Sequence, residues 1–226
     1  KARDLSLDGK YDEAQDIIET ECLGNWTQSY LPLCDIDIKF DTKGCRAKNY
    51  KRILDLSTGI HTVSYEKNGT EFKREAFVSA PDKAFIQKYS ANKKVLNFKL
   101  SLSTQLKGDS FIENDTLILD GICSSDEHDN LELLNRCEFY PEEKELQGIS
   151  FRAAVKVISD GKVTYSGKNI IVENASKAYI FFTTENSFNG FQKHPALEGK
   201  EYKNACLEML ESVSSIDYKT LKKAHL

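Results

Sequence analysis

The dipeptide Asn68-Gly69, set between two runs of alternating residues, constrains this chain more than any other feature. A type I′ turn demands positive φ at both central residues, which Asn and Gly tolerate, and its twist suits an antiparallel strand pair. The flanks 59–67 and 70–79 therefore read as the arms of a β-hairpin. The same period of two recurs along the chain. Ile36, Ile38 and Phe40 alternate with Asp35, Asp37 and Lys39, while Leu96, Phe98, Leu100 and Leu102 share one face of a run over 95–102. Further strands are expected over 50–56, 84–90, 116–120, 149–159, 163–165, 170–173 and 178–184, with Asp160-Gly161 as another turn. Short strands joined by turns predict a mainly β fold, a large antiparallel β-sandwich. Because helices do not alternate with the strands, a doubly wound nucleotide-binding sheet is disfavoured.

Helical spacing appears only at the two ends. Residues 1–23 read as helical, with a turn at Asp8-Gly9 and then Tyr11, Ala14, Ile18 and Cys22 along one face. Gly24 stands where a helix-ending glycine belongs. After residue 200, Tyr202, Ala205, Met209 and Val213 repeat the pattern, and Asp217 is placed to cap a last short helix from Tyr218. The expected organisation is a sandwich domain over 1–199 and a helical linker over 200–226. Both ends read as cuts through a longer chain, with the linker leading towards a further helical domain. With 226 residues a single core suffices without metals or disulfides.

Charge and motifs narrow the chemistry by exclusion. The formal net charge is −4, the wrong sign for a protein that grips phosphates, so nucleic acid is not an expected partner. Nothing reaches the apolar length of a membrane span, and no membrane partner is expected. The six cysteines form no C-x-x-C ladder and read as free thiols, which tilts the expectation towards the cytoplasm over secretion. No metal and no cofactor is implied, and no nucleophile elbow, zinc helix or phosphate loop is present. The acidic stretch 126–145 lacks calcium-loop spacing and reads as an exposed insertion.

One stretch stands out by composition, Gly24-Asn25-Trp26-Thr27-Gln28-Ser29-Tyr30-Leu31-Pro32-Leu33. It carries the only Trp beside a Tyr and several amides and hydroxyls. A sugar is held by a ring face against its C–H surface and by fixed polar partners around its hydroxyls. Trp26, Gln28 and Tyr30 could supply both. An equally simple reading makes Trp26 the anchor of a helix-to-strand junction.

With this stretch and the segments around it the chain resembles the N-terminal β-domain of glycoside hydrolase family 95, the α-L-fucosidases. The resemblance runs through Gly9-Lys10-Tyr11-Asp12-Glu13-Ala14, the loop from Trp26 to Leu33 with Asp35, and Tyr50-Lys51-Arg52-Ile53-Leu54-Asp55-Leu56. It continues through the run from Phe72 to Asp82, Phe151-Arg152-Ala153, the run from Thr184 to Phe191, and Tyr218-Lys219-Thr220-Leu221 with His225. It implies a non-catalytic sandwich followed by a helical linker and an (α/α) toroid that carries the catalytic carboxylate. The implied reaction is inverting release of terminal, typically α-1,2-linked, α-L-fucose from a fucosylated oligosaccharide. No catalytic residue falls within this chain on that reading, and the implied partner is the toroid of the same parent. Where the family commonly has Gly after Pro-Leu stands Cys34, which would be strained if the backbone there needed positive φ. An independent carbohydrate-binding sandwich, or the same domain in a related hydrolase or phosphorylase, remains open.

Overall fold

The computed structural model describes residues 1–22, 31–41, 46–125 and 140–226. The chain forms two compact units, one of residues 1–30 with 125–139 and one of residues 31–124 with 140–226. Within the described residues of the first unit, α1 (Ala2–Leu7) and α2 (Tyr11–Ile17) are separated by Gly9 at φ +77°, and α2 passes into a π-helical turn over Ile18–Cys22. Of the face expected there only Ala14 is buried, and Tyr11 is exposed. Gly24 lies outside the described residues.

The second unit is the sandwich. Its strands are β1 (Asp35–Phe40), β2 (Lys48–Asp55), β3 (Ile60–Lys67), β4 (Thr70–Ser79), β5 (Ala84–Ala91), β6 (Leu96–Ser103), β7 (Lys107–Glu113), β8 (Thr116–Ile122), β9 (Ser150–Ser159), β10 (Lys162–Ser166), β11 (Asn169–Ala175) and β12 (Lys177–Asn186). They make a four-stranded sheet in the order β1-β6-β11-β10 and an eight-stranded sheet in the order β2-β3-β4-β5-β12-β9-β8-β7, with every pair antiparallel. Period-two burial sets the core between them. Leu96, Phe98, Leu100 and Leu102 of β6 meet Leu117 and Leu119 of β8, Phe151, Ala153 and Val155 of β9, and Ile180 of β12.

The eight-stranded sheet buries its other face under helices. α3 (Lys203–Ser215) and α4 (Tyr218–His225) lay Cys206, Leu210, Val213 and Leu221 on Ile60, Phe77, Ile86, Ala154 and Phe181. The central strands are thus apolar on both faces, as strands buried on both sides must be. The buried stripe of α3 is Cys206, Leu210 and Val213, turned from the expected line through Ala205 and Met209, because the sheet decides which helix face is covered. Asp217 caps α4 as expected, accepting from the backbone N–H of Lys219 and Thr220. At the start of α3 the capping carboxylate is Glu201, which accepts from the N–H groups of Lys203, Asn204 and Ala205.

Antiparallel register sorts the connections onto two ends. One end holds Asn68-Gly69 (φ +52° and +64°), Asn114-Asp115 (φ +44° and +61°) and Asp160-Gly161. Gly161 is there for space: a Cβ would lie 2.4 Å from the Glu173 carbonyl. The other end holds the connections 56–59, 80–83 and 104–106, the tight turn at Gly167-Lys168, the described parts of 123–149, and the loop 187–202.

Candidate functional site

Trp26, Gln28 and Tyr30, the residues chosen from sequence, lie outside the described residues. The last part of that stretch is described. Leu31 and Leu33 pack against the sandwich core, and the Leu33 carbonyl accepts from the Thr104 hydroxyl at 2.7 Å. They enter β1 at the loop-bearing end, since Asp35 pairs with Ser103 at the end of β6. Cys34 is not among the positive-φ residues, so the Gly-to-Cys departure carries no backbone strain. Burial pushes its thiol up to about 11, with help from neighbouring Asp35, which keeps it protonated at neutral pH. Cys22, Cys34, Cys123 and Cys206 are all free.

The loop end is held by polar pins. Arg152, 7% exposed on β9, donates from Nε and Nη2 to the two oxygens of Asp120 at 2.6 and 2.7 Å. Lys203 at the start of α3 adds a third contact to Asp120 at 3.1 Å. Burial alone would raise the Asp120 carboxyl, but the bonds from Arg152 and Lys203 outweigh it and hold the group below its ordinary value. Lys200 pairs with Glu185 at 2.8 Å. The loop is tied through itself: Ser187 N–H donates to the Ser150 carbonyl, the Ser150 N–H to the Ser187 hydroxyl, Asn189 Nδ2 to the Glu198 carbonyl and Lys200 N–H to the Ser187 carbonyl. A Cβ on Gly199 would sit 2.3 Å from the Pro195 carbonyl, so this path requires glycine. The ordered loop nonetheless holds Phe191 90% exposed.

The last turn of α4 reaches the same end. His225 stacks on Phe77 at 4.7 Å, and its Nε2 lies 2.7 Å from the Thr58 carbonyl in the β2–β3 turn. One turn earlier in the helix Lys222, together with Lys73 of β4, holds Glu75, at 2.9 and 3.3 Å. Burial opposes ionisation of Glu75, yet the two ammonium groups leave its carboxyl below the ordinary value. Beside it the Tyr218 hydroxyl is buried without a hydrogen-bond partner, and burial together with Glu75 drives its pKa up. The Lys88 ammonium lies 4.8 Å from the Tyr218 ring centroid.

The tight-turn end carries an open cleft of about 460 Å³, lined among others by Asn49, Ser64, Glu66, Glu71, Lys73 and Asn92. Glu66 and Glu71 face each other in register across β3 and β4, and Asn49 Nδ2 donates to Glu66 at 3.4 Å. This cleft offers acceptors to a polyol. Among the described residues no group of three or more His, Cys, Asp or Glu side chains is placed to hold a metal ion.

With this geometry in hand the chain was compared with known proteins. The profile described as "Glycosyl hydrolase family 65, N-terminal domain" matches residues 1–190. The chain belongs to this family. It is 29% identical over 212 residues to "Alpha-L-fucosidase 2" of Arabidopsis thaliana, covering 90% of this chain and 25% of that protein. A solved chain named as a candidate kojibiose phosphorylase from the human microbiome superposes with a TM-score of 0.51 at 14% identity, over 83% of this chain and 23% of the other. At that identity the likeness is one of fold. The chain spans about a quarter of the length of both. The recognised unit is the N-terminal β-domain of a glycoside hydrolase, as the resemblance implied. The matching profile bears the number 65, and the fucosidase relative agrees with the resemblance to family 95. No helix among the described residues is long and apolar enough to cross a membrane.

The pinned loop end was missed from sequence alone. The ion pair Asp120–Arg152 joins residues 32 positions apart and has no local signature. The run Phe188-Asn189-Gly190-Phe191 was noticed only through the family resemblance, although two Phe flanking a turn dipeptide outside any strand is itself a signal of a presented surface.

Proposed function

We propose that this chain is the non-catalytic N-terminal domain of a glycoside hydrolase that releases terminal α-L-fucose, α-1,2-linked, with inversion. The observation that carries the reading is the 29% identity with an α-L-fucosidase across 90% of the chain. In an inverting hydrolysis one carboxylic acid protonates the leaving oxygen while a second activates water on the opposite face. On this reading both act in a helical toroid of the parent chain, against which this domain packs, while Trp26, Gln28 and Tyr30 wall one side of the pocket that takes the fucosylated oligosaccharide. The half-buried carboxylates Asp120, Glu75 and Glu185 support a non-catalytic role, since each is already committed to a cation.

The test is an assay of the parent protein on 2′-fucosyllactose with the 226-residue chain beside it. The parent should release fucose and the chain none. Turnover by the chain, lost on substituting one of its own carboxylates, would overturn the non-catalytic assignment. Release of another sugar, dependent on inorganic phosphate, would move the parent to the phosphorylases. In the parent, Trp26→Ala or Gln28→Ala should lower kcat/KM with little change in the unfolding midpoint; a pure anchor at Trp26 gives the reverse.

A further inference from the structure

We infer that the loop-bearing end of the sandwich, centred on Phe191, Phe188, Leu197 and Leu56, is the surface that packs against the helical catalytic domain of the parent chain, an inference that rests on reading this chain as an N-terminal glycosidase domain. Apolar exposure is lopsided. Phe191 and Leu56 are 90% and 89% exposed, and Leu197 and Phe188 about half exposed, at one end. At the other end the most exposed large apolar side chains among the described residues of the sandwich are Tyr50 at 60%, whose hydroxyl makes it amphipathic, and Ile158 at 42%. Single exposed apolar residues are ordinary, but several gathered on one end mark a contact surface.

The loop that carries Phe188, Phe191 and Leu197 is already tied down by the Ser187–Ser150 pair, the Asn189–Glu198 bond and Gly199 against Pro195. An ordered loop loses little conformational entropy when it docks, so its exposed rings convert to affinity efficiently. The exit of the chain lies at the same end, because His225 in the last turn of α4 sits on Thr58 and Phe77. The polypeptide of a longer parent therefore leaves this domain at the same end, next to the β2–β3 turn that carries Leu56. Three quarters of the fucosidase relative lies outside the matched region, which supplies an occupant of sufficient size. The opposite end, with Asn68, Asn114 and Asn174 exposed on its turns and hairpin rims, presents polar groups with no comparable apolar cover.

Hydroxyl-radical footprinting of the full-length parent tests this without reference to activity. Labelling of Phe191 and Leu56 should fall by about tenfold below that expected for solvent-exposed side chains, as for residues in a packed interface core, while Ile158 and Phe111 keep the reactivity of partly exposed residues. Phe191→Asp in the parent should restore labelling at Leu197 and Leu56. Phe191 labelled as readily in the parent as a free phenylalanine side chain overturns the inference, as does protection confined to the tight-turn end. A parent that protects this end but releases no fucose keeps the docking surface and discards the fucosidase reading.

Discussion

At one end of the eight-stranded sheet, neighbouring strands are joined by Asn68-Gly69 and Asn114-Asp115; the other end carries the connections 56–59 and 80–83, the described parts of 123–149 and the loop 187–202 that leads from β12 into α3. The tight turns have their shape written into one or two residues, because positive φ is a local demand. The long loop has its shape written elsewhere, in Ser150, Asp120, Arg152 and Lys203. One end closes the sheet with few atoms and little exposed apolar surface, while the other spends many residues to hold rings in water. The difference separates a purely structural margin from one suited to contact.

The comparison breaks most readily at Phe151. It is 1% exposed beneath the loop end, and a Cβ on Gly121 would come within 2.4 Å of its ring. Phe151→Ala should cost about 3–5 kcal/mol by urea unfolding. Gly121→Ala should destabilise the chain alone and much less in the Phe151→Ala background. Additive effects would show that the close approach plays no part.

Arg152→Ala comes next, at about 3 kcal/mol, because it removes the two-pronged bond and leaves the half-buried Asp120 with Lys203 alone. The linked pH effect has a definite sign. Asp120 and Glu75 have folded pKa values below their unfolded ones, so their stabilisation is present above the ordinary carboxylate range and lost as pH falls through the folded values. Unfolding midpoints should therefore drop on acidification, and Asp120→Asn with Glu75→Gln should flatten that drop. An unchanged acid profile in the double variant would remove these two groups from the account.

At the tight-turn end Gly69→Ala should cost about 1 kcal/mol, since φ is +64° there. The smallest effect sharpens the contrast. Phe191→Ala should shift the stability of this chain by less than about 0.5 kcal/mol, because its ring packs on little. A loss comparable with that of Phe151 would make the Phe191 loop a structural element rather than a presented one.

The strands were legible where one face is buried. Leu96, Phe98, Leu100 and Leu102 alternate because the core takes every second side chain. β7 was not legible, since Gly108 and Asp109 break its alternation and only Ser110 is buried. It exists because β8 offers a pairing edge, and Gly108 lets it approach, a Cβ there falling 2.7 Å from the Asp120 carbonyl. The sugar-facing residues chosen from sequence fall outside the described residues, so only their exit into β1 could be followed.

By itself the sequence determined the sandwich, the Asn68-Gly69 turn, the Asp217 cap and the family. Each of these rests on residues close together in the chain or on a pattern repeated along it. Only the tertiary structure decided which face of α3 is buried, which carboxylates are bound to cations, and that Leu56 and Phe191 come to the same end. Those features join residues far apart in sequence, such as Asp120 with Arg152 and Thr58 with His225, and they come into being only when the sheet brings its strands into register.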